Sequence, residues 1–403
     1  MISISRLYCG AAGPGDSLRY GKGDLKTRPR PGQTRPVVVW NVTRRCNLLC
    51  AHCYSASSAD RAPDELTTDE ARAMLEDLAA FGCPVVLFSG GEPLLREDIL
   101  ELIGLAGGAG LRTVLSTNGT LIMPELAGRL REAGLGYAGV SLDGMRATND
   151  RFRGAEGAFE QALAGIRNCI RADLRVGLRL TMTAHNIVDL PAIFSLARDE
   201  GIRRLCFYHL VPTGRGGAMA GAGLDHASTR RALDLIIDRT AELHAAGEAT
   251  EVLTVDNHAD GPYLYLRMLR EGNPRAAEAL GLLRAGGGNS SGRGIGCVSW
   301  DGTVHPDQFW RSVSLGSVRE RPLSTIWTDL SDPLVARLKD KARHVTGRCA
   351  GCRFLDCCGG NSRARAEALT GERWASDPAC HLSDEEILAE TTAAATAEEA
   401  DGE

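Results

Sequence analysis

Six short apolar segments recur between residues 37 and 209, and each is followed by a stretch long enough to form a helix. Parallel strands need crossovers of this length, and they read as continuous apolar runs because helices cover both faces of the sheet. The pattern therefore predicts an α/β domain of six βα units, arranged either as a partial barrel or as an open doubly wound sheet. The predicted strands span 37–40, 85–88, 113–116, 136–141, 176–181 and 204–209.

Helix signals fill the intervals between these strands. The clearest helix is predicted over 67–81, where Thr67 and Glu70 form a capping box. Other helices are predicted at 98–106, 125–132, 158–171 and 188–200. In both candidate arrangements ligands bind at the carboxyl ends of the parallel strands, so the residues that follow each strand are the first candidates for a site.

The rest of the chain divides by composition rather than by periodicity. Residues rich in Gly, Pro and Arg come first, and an Ala- and Glu-rich stretch comes last. We predict an extended N-terminal arm at 1–36, the α/β core at 37–215, a helical connection at 216–290, a cysteine-rich segment at 291–385 and an acidic, partly disordered tail at 386–403. The cysteine-rich segment shows little periodic pattern, which indicates that its fold depends on metal.

Charge and hydropathy exclude some classes of function. The formal net charge of −5 does not favour nucleic acid as a partner. No apolar run reaches the length of a bilayer span, and the N-terminal segment does not resemble a signal peptide. We therefore expect a cytoplasmic protein with no membrane partner. Disulfides are rare in the cytoplasm, so the clustering of many of the 13 cysteines indicates metal ligands. The isolated cysteines, expected to be small buried hydrophobes, are Cys9, Cys83, Cys169 and Cys206.

Three cysteines, Cys46, Cys50 and Cys53, follow the first predicted strand. Thiolates on one short loop can bind three irons of a [4Fe-4S] cluster and leave the fourth iron open to a ligand. Zinc is the alternative, but a closed zinc site takes four ligands. His52 could supply a fourth ligand, although its place between two cysteines gives it poor reach.

The sequence Ser89-Gly-Gly-Glu-Pro93 follows the second strand. Together with the Cys-x3-Cys-x2-Cys spacing it resembles the radical SAM superfamily. The resemblance implies a partial (β/α)6 barrel of the TIM type, a [4Fe-4S] cluster that binds S-adenosyl-L-methionine (SAM), and a 5′-deoxyadenosyl radical that removes a hydrogen from the substrate. It further implies that the methionine amino group is held by Ser89, Gly90, Gly91 and Glu92.

The same resemblance implies SAM contacts at the ends of later strands. The candidates are Ser116, Asn118, Ser141, Asp143, Arg179 and Val211. The segments around the first four are also ordinary turn sequences. Arg179 is a candidate partner of the SAM carboxylate, with a structural salt bridge as the alternative, and Val211 is a candidate neighbour of the adenine.

A second group of cysteines lies near the C-terminus, and its spacing resembles one auxiliary [4Fe-4S] cluster of the SPASM/twitch type. The implied ligands are Cys349, Cys352, Cys358 and Cys380. Cys357 is an alternative to Cys358, and a structural zinc ribbon is an alternative to the cluster. Ser362 and Asp307 stand where a full SPASM domain has cysteines of a second auxiliary cluster. We therefore predict a small SPASM/twitch-like domain and two clusters in total.

Longer segments narrow the resemblance to the tetrapyrrole-modifying radical SAM enzymes of alternative haem biosynthesis. These segments are 2–10, 37–46, 256–267, 287–297 and 305–310. The resemblance implies a sirohaem-derived substrate, 12,18-didecarboxysiroheme, from which two acetate side chains are removed to give iron-coproporphyrin III. Enzymes of haem d1 biosynthesis, which remove propionate side chains, are an alternative. Peptide-maturing SPASM enzymes and a non-catalytic zinc-binding module are others, but too few residues precede the first strand for a leader-binding domain.

A flat iron macrocycle with several carboxylates sets requirements for the substrate side of the site. His258, His305 and Cys297 are candidate catalytic residues, the two histidines for iron ligation or proton delivery. Candidate partners of the carboxylates and walls of the macrocycle site are Arg267, Arg293, Arg311, Phe309 and Trp310. A structural role is the alternative for each. The resemblance also implies a reduced flavodoxin or ferredoxin as the electron donor.

Overall fold

The computed structural model describes residues 1–21 and 34–388. Its strands are β1 (Ile2–Ser3), β2 (Val37–Thr43), β3 (Val85–Gly90), β4 (Arg112–Thr117), β5 (Tyr137–Ser141), β6 (Val176–Met182), β7 (Arg204–His209), β8 (Glu251–Val255), β9 (Ile295–Val298), β10 (Thr303–His305) and β11 (Gly316–Ser317). They form one sheet in the order β1-β8-β7-β6-β5-β4-β3-β2-β9-β10-β11. Strands β2 to β7 confirm the six predicted strands.

The helices surround this sheet. They are α1 (Ile4–Cys9), α2 (Asp16–Tyr20), α3 (Thr68–Phe81), α4 (Ile99–Gly108), α5 (Pro124–Glu132), α6 (Arg146–Arg153), α7 (Ala158–Arg171), α8 (Leu190–Asp199), α9 (His226–Ala245), α10 (Asp260–Arg270), α11 (Ala276–Gly286), α12 (Leu323–Thr328), α13 (Pro333–Lys339), α14 (Leu355–Cys358), α15 (Arg363–Thr370) and α16 (Asp384–Leu388). Among the residues that the structure describes, no helix combines the length and the apolar character that a membrane crossing requires.

Within the set β2 to β9, every pair of adjacent strands is parallel. The partial barrel therefore has one more strand at each end than the six predicted, β8 beside β7 and β9 beside β2. Strand β8 lies in the segment 216–290, which also carries α9, α10 and α11, so the prediction of a helical connection misses only this strand. Strand β9, from the cysteine-rich segment 291–385, pairs with β2. Both strands are short and join the sheet through contacts with residues distant in sequence, which local patterns do not reveal. The division of the chain into domains stays a prediction.

Local sequence signals set the ends and faces of the predicted elements. Helix α3 begins after Thr67, whose side chain accepts the Glu70 N–H while the Glu70 carboxylate accepts the Thr67 N–H, as the predicted capping box requires. In β2, alternate residues point to one face of the sheet. Val38, Trp40 and Val42 are wholly buried there in the main core.

The first 21 residues are folded rather than an extended arm. Strand β1 pairs antiparallel with β8, and helices α1 and α2 follow. Arg19 on α2 forms an ion pair with Glu251, at the start of β8, over 2.9 Å. The prediction of an arm is wrong for this part because it ignored contacts with β8, and residues 22–33 lie outside the described residues. Helix α16 includes the first three residues of the predicted tail, and residues 389–403 lie outside the described part.

Burial of the isolated cysteines largely follows the prediction. Cys83, Cys169 and Cys206 are buried, as expected for small apolar side chains. Cys9 is only half-buried, so the prediction is wrong for this residue. It ends the short helix α1 near the surface.

Candidate functional site

The triad Cys46, Cys50 and Cys53 lies on the loop that follows β2. Cys46 and Cys50 are buried in a small apolar cluster with Leu48 and Ala158, and Cys53 packs against this cluster. Among the described residues, no three Cys, His, Asp or Glu side chains are grouped as a single metal ion would need. A [4Fe-4S] cluster places each thiolate on a different iron, so the three sulfurs need not converge on one point. The donor set therefore fits such a cluster.

Hydrogen bonds from the backbone fix the path of the triad loop. The N–H groups of Leu49 and Ala51 donate to the carbonyls of the last two residues of α6, at 3.2 and 2.9 Å. From the other side, Arg215 donates its Nε–H to the Cys50 carbonyl at 3.0 Å and its backbone N–H to the Cys53 carbonyl at 2.9 Å. The protein itself therefore holds the loop in place.

One guanidinium, that of Arg153 on α6, reaches the triad. Its Nη1 donates to Cys50 Sγ at 3.6 Å, and its Nη2 forms an ion pair with buried Asp143. His52 Nε2 lies 3.2 Å from the same carboxylate. Burial alone would raise the pKa of Asp143, but the charges of Arg153 and His52 lower it to about 2. Burial raises the pKa of Cys50, and the Arg153 cation beside its sulfur opposes that rise and so favours the thiolate, which is the form that binds iron.

Hydrogen bonds also distinguish Cys53 from Cys46. Burial raises the pKa of Cys46 to about 11. Burial acts on Cys53 in the same direction, but hydrogen bonds with the hydroxyls of Ser55 and Ser57, at 3.2 and 3.3 Å, outweigh it and lower the pKa. Cys53 is therefore the more easily ionised of these two ligand candidates.

Gly90 and Gly91 pass directly against the chain that connects β2 to the triad. A Cβ on Gly90 would lie 2.4 Å from the Thr43 carbonyl oxygen, and a Cβ on Gly91 would lie 2.1 Å from the Arg45 carbonyl oxygen. The N–H groups of Gly91 and Glu92 donate to these same two carbonyls, each at 2.8 Å. The two glycines therefore let the Gly-Gly-Glu-Pro loop lie against the triad loop.

Glu92 links this loop to the end of β4. Its side chain is wholly buried and accepts hydrogen bonds from the Asn118 N–H and the Thr117 hydroxyl, both at 2.8 Å. Burial raises its pKa to about 7, despite these hydrogen bonds. Two segments that were predicted separately to contact SAM are thus joined by one carboxylate.

Ser89 and Asn118 also contact the triad region. The Ser89 hydroxyl lies 2.9 Å from the Tyr54 hydroxyl, and Asn118 Nδ2 donates to Asn47 Oδ1 at 2.8 Å. Ser116 lies near the carboxyl end of β4, one residue before its last. The structure therefore places these predicted contacts on the side of the barrel that carries the triad.

Arg179 lies on β6, paired in register with Ser141 on β5. Gly139 leaves room for its guanidinium, because a Cβ there would lie 2.1 Å from Arg179 Nε. Arg179 forms no ion pair within residues 1–21 and 34–388, so this enclosed cation lacks an anion. Val211 is buried and begins the segment in which Gly214 packs against the triad loop, where a Cβ would lie 2.4 Å from a backbone oxygen.

The four predicted C-terminal ligands come together in the structure. They are Cys349, Cys352, Cys358 and Cys380. Burial and then the charges of the other three raise the pKa of Cys358 well above its usual value. Cys357 instead packs in the main core and donates to its neighbour's carboxylate at 3.3 Å. The arrangement favours Cys358 over Cys357 as the fourth member of the group.

A glycine turn holds the backbone of Cys358. Asn289 N–H donates to the Cys358 carbonyl at 2.9 Å. Gly288 has a φ of +68°, and a Cβ there would lie 2.0 Å from the Cys358 carbonyl group. Arg348 and Arg363 interact electrostatically with cysteines of the group. The site therefore combines close backbone packing with positive charge, which suits an anionic cluster.

Ser362 and Asp307, which stand in place of cysteines, are engaged within the protein. Ser362 Oγ accepts the Arg365 N–H at 3.2 Å and caps α15. Asp307 accepts the N–H groups of Phe309 and Trp310, at 2.8 and 2.9 Å. Both side chains therefore stabilise local turns.

The three catalytic candidates differ in their surroundings, although Cys297 and His305 are paired in the register of β9 and β10. Cys297 on β9 accepts a hydrogen bond from Asn41 Nδ2 at 3.4 Å, and Asn41 Oδ1 accepts one from Tyr54, so Cys297 lies beside the triad loop. His305 uses both ring nitrogens, with a backbone carbonyl at 2.7 Å and a serine hydroxyl at 2.9 Å. It therefore presents no ring nitrogen to a ligand. His258 follows β8, and its Nδ1 makes no hydrogen bond to any described residue.

The other substrate candidates differ in position. Arg311 donates to the backbone of the triad loop, at the Ser55 carbonyl, over 2.8 Å. Phe309 contacts the tyrosine that follows the triad, with 5.2 Å between ring centroids. Arg267 instead forms ion pairs with three carboxylates, and Trp310 is buried in the core. Arg293 Nη2 donates to the Gly287 carbonyl at 3.4 Å.

A cavity of about 610 Å³ opens at the carboxyl ends of β6 and β7. Its walls include Met182, His209, Pro212, Leu224, Arg365 and Pro378. The segment that contains Pro212 continues to Gly214 and packs against the triad loop, whereas Pro378 precedes Cys380 by two residues. The cavity is therefore lined by residues close in sequence to both cysteine sites, but by no cysteine of either site.

Sequence reasoning missed several residues that shape the triad site. Arg153, Arg215 and Tyr54 belong to no motif and were not candidates. Arg153 follows the Asp143 segment on the next helix, and Arg215 follows β7. Their place after strand ends was the available signal, but only the folded contacts show that they reach the triad.

Comparison with known proteins agrees with this geometry. The family model of the radical SAM superfamily matches residues 40–197 of this chain. Fe-coproporphyrin III synthase of Methanosarcina barkeri is 55% identical over 395 residues, which cover 96% of this chain and 99% of the relative. This chain belongs to the radical SAM superfamily. As a radical SAM enzyme it uses SAM and a [4Fe-4S] cluster, so the predicted superfamily, SAM and the SAM-binding cluster are confirmed, whereas the auxiliary cluster stays a prediction.

Other relatives of this radical SAM enzyme carry related names. Pre-heme d1 synthase of Dinoroseobacter shibae is 46% identical over 87% of each chain. AdoMet-dependent heme synthase of M. barkeri is 35% identical over 85% of this chain and 95% of the relative. Among solved structures, Streptococcus suis SuiB bound to precursor peptide SuiA gives a TM-score of 0.69 at 17% identity, covering 87% of this chain and 76% of SuiB. Native anSMEcpe with bound AdoMet gives 0.66, also at 17% identity, covering 86% and 93%. These structures confirm the predicted fold.

Proposed function

We propose that this radical SAM enzyme removes the two acetate side chains of 12,18-didecarboxysiroheme and forms iron-coproporphyrin III. One observation carries the proposal, the 55% identity to Fe-coproporphyrin III synthase over 96% of this chain and 99% of the relative. Identity to pre-heme d1 synthase is lower, at 46%. Removal of propionate side chains, as in haem d1 biosynthesis, is therefore the second candidate.

The residues around the triad have defined tasks in this proposal. Bound SAM and a reduced cluster supply the 5′-deoxyadenosyl radical, and the protein positions and shields it. Cys46, Cys50 and Cys53 hold the cluster. Glu92 accepts a hydrogen bond from the SAM amino group. Arg179, the enclosed cation without a carboxylate partner among the described residues, pairs with the SAM carboxylate.

Asp143 acts through Arg153 rather than on SAM directly. Its carboxylate is already shared between Arg153 and His52. The ion pair keeps a guanidinium next to Cys50. We therefore assign Asp143 to the support of the triad, and Val211 to the border of the adenine site because its segment packs against the same loop.

The C-terminal cysteines hold an auxiliary [4Fe-4S] cluster in this proposal. The ligands are Cys349, Cys352, Cys358 and Cys380. The mutual electrostatic effect on Cys358 and the nearby guanidinium groups support one shared anionic site for these four cysteines. Thiolate clusters with positive neighbours have higher reduction potentials, because those charges favour the more negative reduced state.

The substrate site is proposed on the side of the triad that carries Cys297. Cys297, Arg311 and Phe309 each contact the triad loop or a side chain bonded to it. Arg311 is suited to pair with a carboxylate of the macrocycle. His258 is the second candidate for iron ligation or proton delivery, because its Nδ1 has no hydrogen bond in the described ranges.

An anaerobic turnover assay tests the function. Purified enzyme is incubated with SAM, dithionite and 12,18-didecarboxysiroheme, and the products are followed by mass spectrometry. We expect two successive losses of an acetate unit, each accompanied by 5′-deoxyadenosine. Loss of propionate units would transfer the assignment to the second candidate. SAM cleavage without any change in the tetrapyrrole would contradict both.

An electron donor completes the proposed reaction. We propose that a reduced flavodoxin or ferredoxin supplies the one electron that each cleavage of SAM would require.

A further inference from the structure

We infer that His209 is an axial ligand of the iron in the tetrapyrrole substrate, and that Asp260 orients its ring for this task. The inference rests on the proposed function, because it needs a substrate that carries iron within a macrocycle. It gives to His209 the iron ligation for which His258 was a candidate.

His209 lies where a barrel of this kind binds its ligands. It is the last residue of β7 and lines the cavity of about 610 Å³. Its partner in the register is Met182, the last residue of β6, which lines the same cavity. Parallel strands end at one edge of the sheet, so His209 lies at the edge from which the triad loop leaves β2.

Asp260 fixes the ring of His209. It is 1% exposed at the start of α10, and its Oδ2 lies 2.8 Å from His209 Nε2. A carboxylate accepts hydrogen bonds, so His209 carries its proton on Nε2 and a lone pair on Nδ1. This Nδ1 makes no hydrogen bond to any described residue. A histidine with one nitrogen bonded to a carboxylate and the other free has the usual arrangement of a metal ligand.

A lone histidine also determines which kind of metal it can hold. Within 1–21 and 34–388, no three His, Cys, Asp or Glu side chains are grouped as a metal ion would need. A zinc ion takes three or four protein ligands. Iron in a tetrapyrrole instead arrives with the nitrogens of its own ring, and a single axial histidine completes its site. His209 is therefore suited to a metal that arrives inside a macrocycle.

The other walls of the cavity suit a flat apolar ring. Apolar side chains in these walls are Met182, Leu210, Pro212, Leu224 and Leu369. The wall at Pro212 continues into a segment that touches the triad loop, because a Cβ on Gly214 would lie 2.5 Å from the Cys53 carbonyl oxygen. A macrocycle bound at His209 is therefore bordered by the segment that also packs against the cluster loop.

Other histidines are less suited to the iron. His258 does not line the cavity, and its Nε2 lies 3.4 Å from the N-terminal amino group. His226 lines the cavity, but its Nε2 lies 2.8 Å from the Pro378 carbonyl rather than from a carboxylate. Of the histidines that the structure describes, only His209 both lines the cavity and bonds to a carboxylate.

The test measures binding of the proposed product, ferric iron-coproporphyrin III, to the cluster-loaded enzyme. Oxidised [4Fe-4S] clusters give no EPR signal, so the spectrum reports the porphyrin iron and its axial nitrogen. Iron-free coproporphyrin III is the matched ligand, because it forms no axial bond. Affinity for each porphyrin is measured by titration.

The variants separate ligation from packing. His209→Ala removes the ligand, and His209→Gln removes it while keeping most of the side-chain volume. Asp260→Asn tests the orientation of the ring. His226→Ala is the control, because it alters the other histidine of the cavity wall. Circular dichroism and iron content check the fold of each variant.

We expect both His209 variants to lose the nitrogen-ligated ferric signal and to bind iron-coproporphyrin III more weakly by about tenfold or more. Their affinity for the iron-free porphyrin should be unchanged, and added imidazole should restore the signal in His209→Ala. Asp260→Asn should keep the signal but bind iron-coproporphyrin III roughly tenfold more weakly. His226→Ala should match the unmodified enzyme.

Three results would overturn the inference. The first is a nitrogen-ligated signal that persists in both His209 variants, and its loss in His258→Ala would then identify His258 as the ligand. The second is an equal loss of affinity for the iron-free porphyrin, which would show that His209 only shapes the cavity. The third is a lack of iron-coproporphyrin III binding by the unmodified enzyme.

The turnover assay keeps the two proposals apart. Loss of acetate together with an unchanged signal in the His209 variants would refute the ligation by His209 alone. A ferric signal that depends on His209, without loss of acetate in turnover, would refute the proposed deacetylation alone.

Discussion

The two cysteine sites of this enzyme are held in different ways. The triad loop is fixed by backbone hydrogen bonds to α6 and to the Gly-Gly-Glu-Pro loop, both of which belong to the barrel. The C-terminal group is carried by the short helix α14, single turns and connecting loops, and the glycine turn at Gly288 holds Cys358. The barrel therefore organises the first site, whereas the second site has little regular structure of its own.

This difference teaches where metal matters for folding. A site built on packed strands keeps its shape when no metal is bound to its cysteines. A site built from loops gains much of its stability from the metal, because binding free energy is then folding free energy. We expect loss of the triad cluster to abolish chemistry with little unfolding, and loss of the auxiliary cluster to destabilise the C-terminal region.

The largest effect is expected from Cys50→Ala. It removes a ligand from the catalytic cluster, so 5′-deoxyadenosine formation should fall to background while the thermal unfolding temperature of the metal-free protein changes little. Cys9→Ala is the matched control, because Cys9 is half-buried and distant from the triad in sequence. Retained SAM cleavage in Cys50→Ala would show that the triad does not hold the catalytic cluster.

Cys352→Ala tests the second site, with Cys357→Ala as its neighbouring control. The first variant should lose about four irons per chain, as expected for one [4Fe-4S] cluster, and should retain part of the SAM cleavage. Its C-terminal region should become sensitive to limited proteolysis. The Cys357→Ala variant should keep its iron. Loss of iron from this variant would instead identify Cys357, rather than Cys358, as the ligand.

Gly288→Ala separates backbone packing from cysteine chemistry. Its Cβ would collide with the Cys358 carbonyl group, so we expect a loss of about 2–3 kcal/mol and a lower iron content at the auxiliary site. Gly272→Ala is the control, because its φ of +63° is similar but its Cβ would meet open space. Equal destabilisation in both variants, measured by urea unfolding, would show that strain alone is responsible.

The smallest effect concerns Glu92 in the barrel. Burial raises its pKa to about 7, above its usual value of 4.5, so the folded state keeps a proton that the unfolded state has lost. This contribution to stability declines as the pH rises through that interval, by about 2 kcal/mol between pH 5 and 7. The free energy of unfolding of the metal-free Glu92→Gln variant, measured in urea, should not show this decline with rising pH. Parallel pH profiles for the variant and the unmodified protein would contradict the assignment.

Sequence patterns predicted the parts of the molecule that are local. The strands β2 to β7, the capping box at Thr67 and the triad are each encoded within a few neighbouring residues. Strand β8 and the folded N-terminal segment depend on each other over a long sequence separation, and neither carries a strong pattern alone. The contact of Arg153 with Cys50 is likewise visible only after folding.

Candidate roles behaved in the same way. Cys297 looked isolated in sequence, but β9 brings it to Asn41 and the triad loop. His305 had the right chemistry, but its two hydrogen bonds occupy the ring. Residue type therefore identified the possible chemistry, while position in the fold decided which side chains are placed to use it.

The pairing of β9 with β2 has a consequence for how the protein is made. Residue 37 leaves the ribosome long before residue 295, its partner in the register. At roughly 5–20 residues per second, one edge of the first core strand waits on the order of 10–50 s for its neighbour. During synthesis the barrel is therefore open next to the triad loop, and its last wall arrives only with the C-terminal segment.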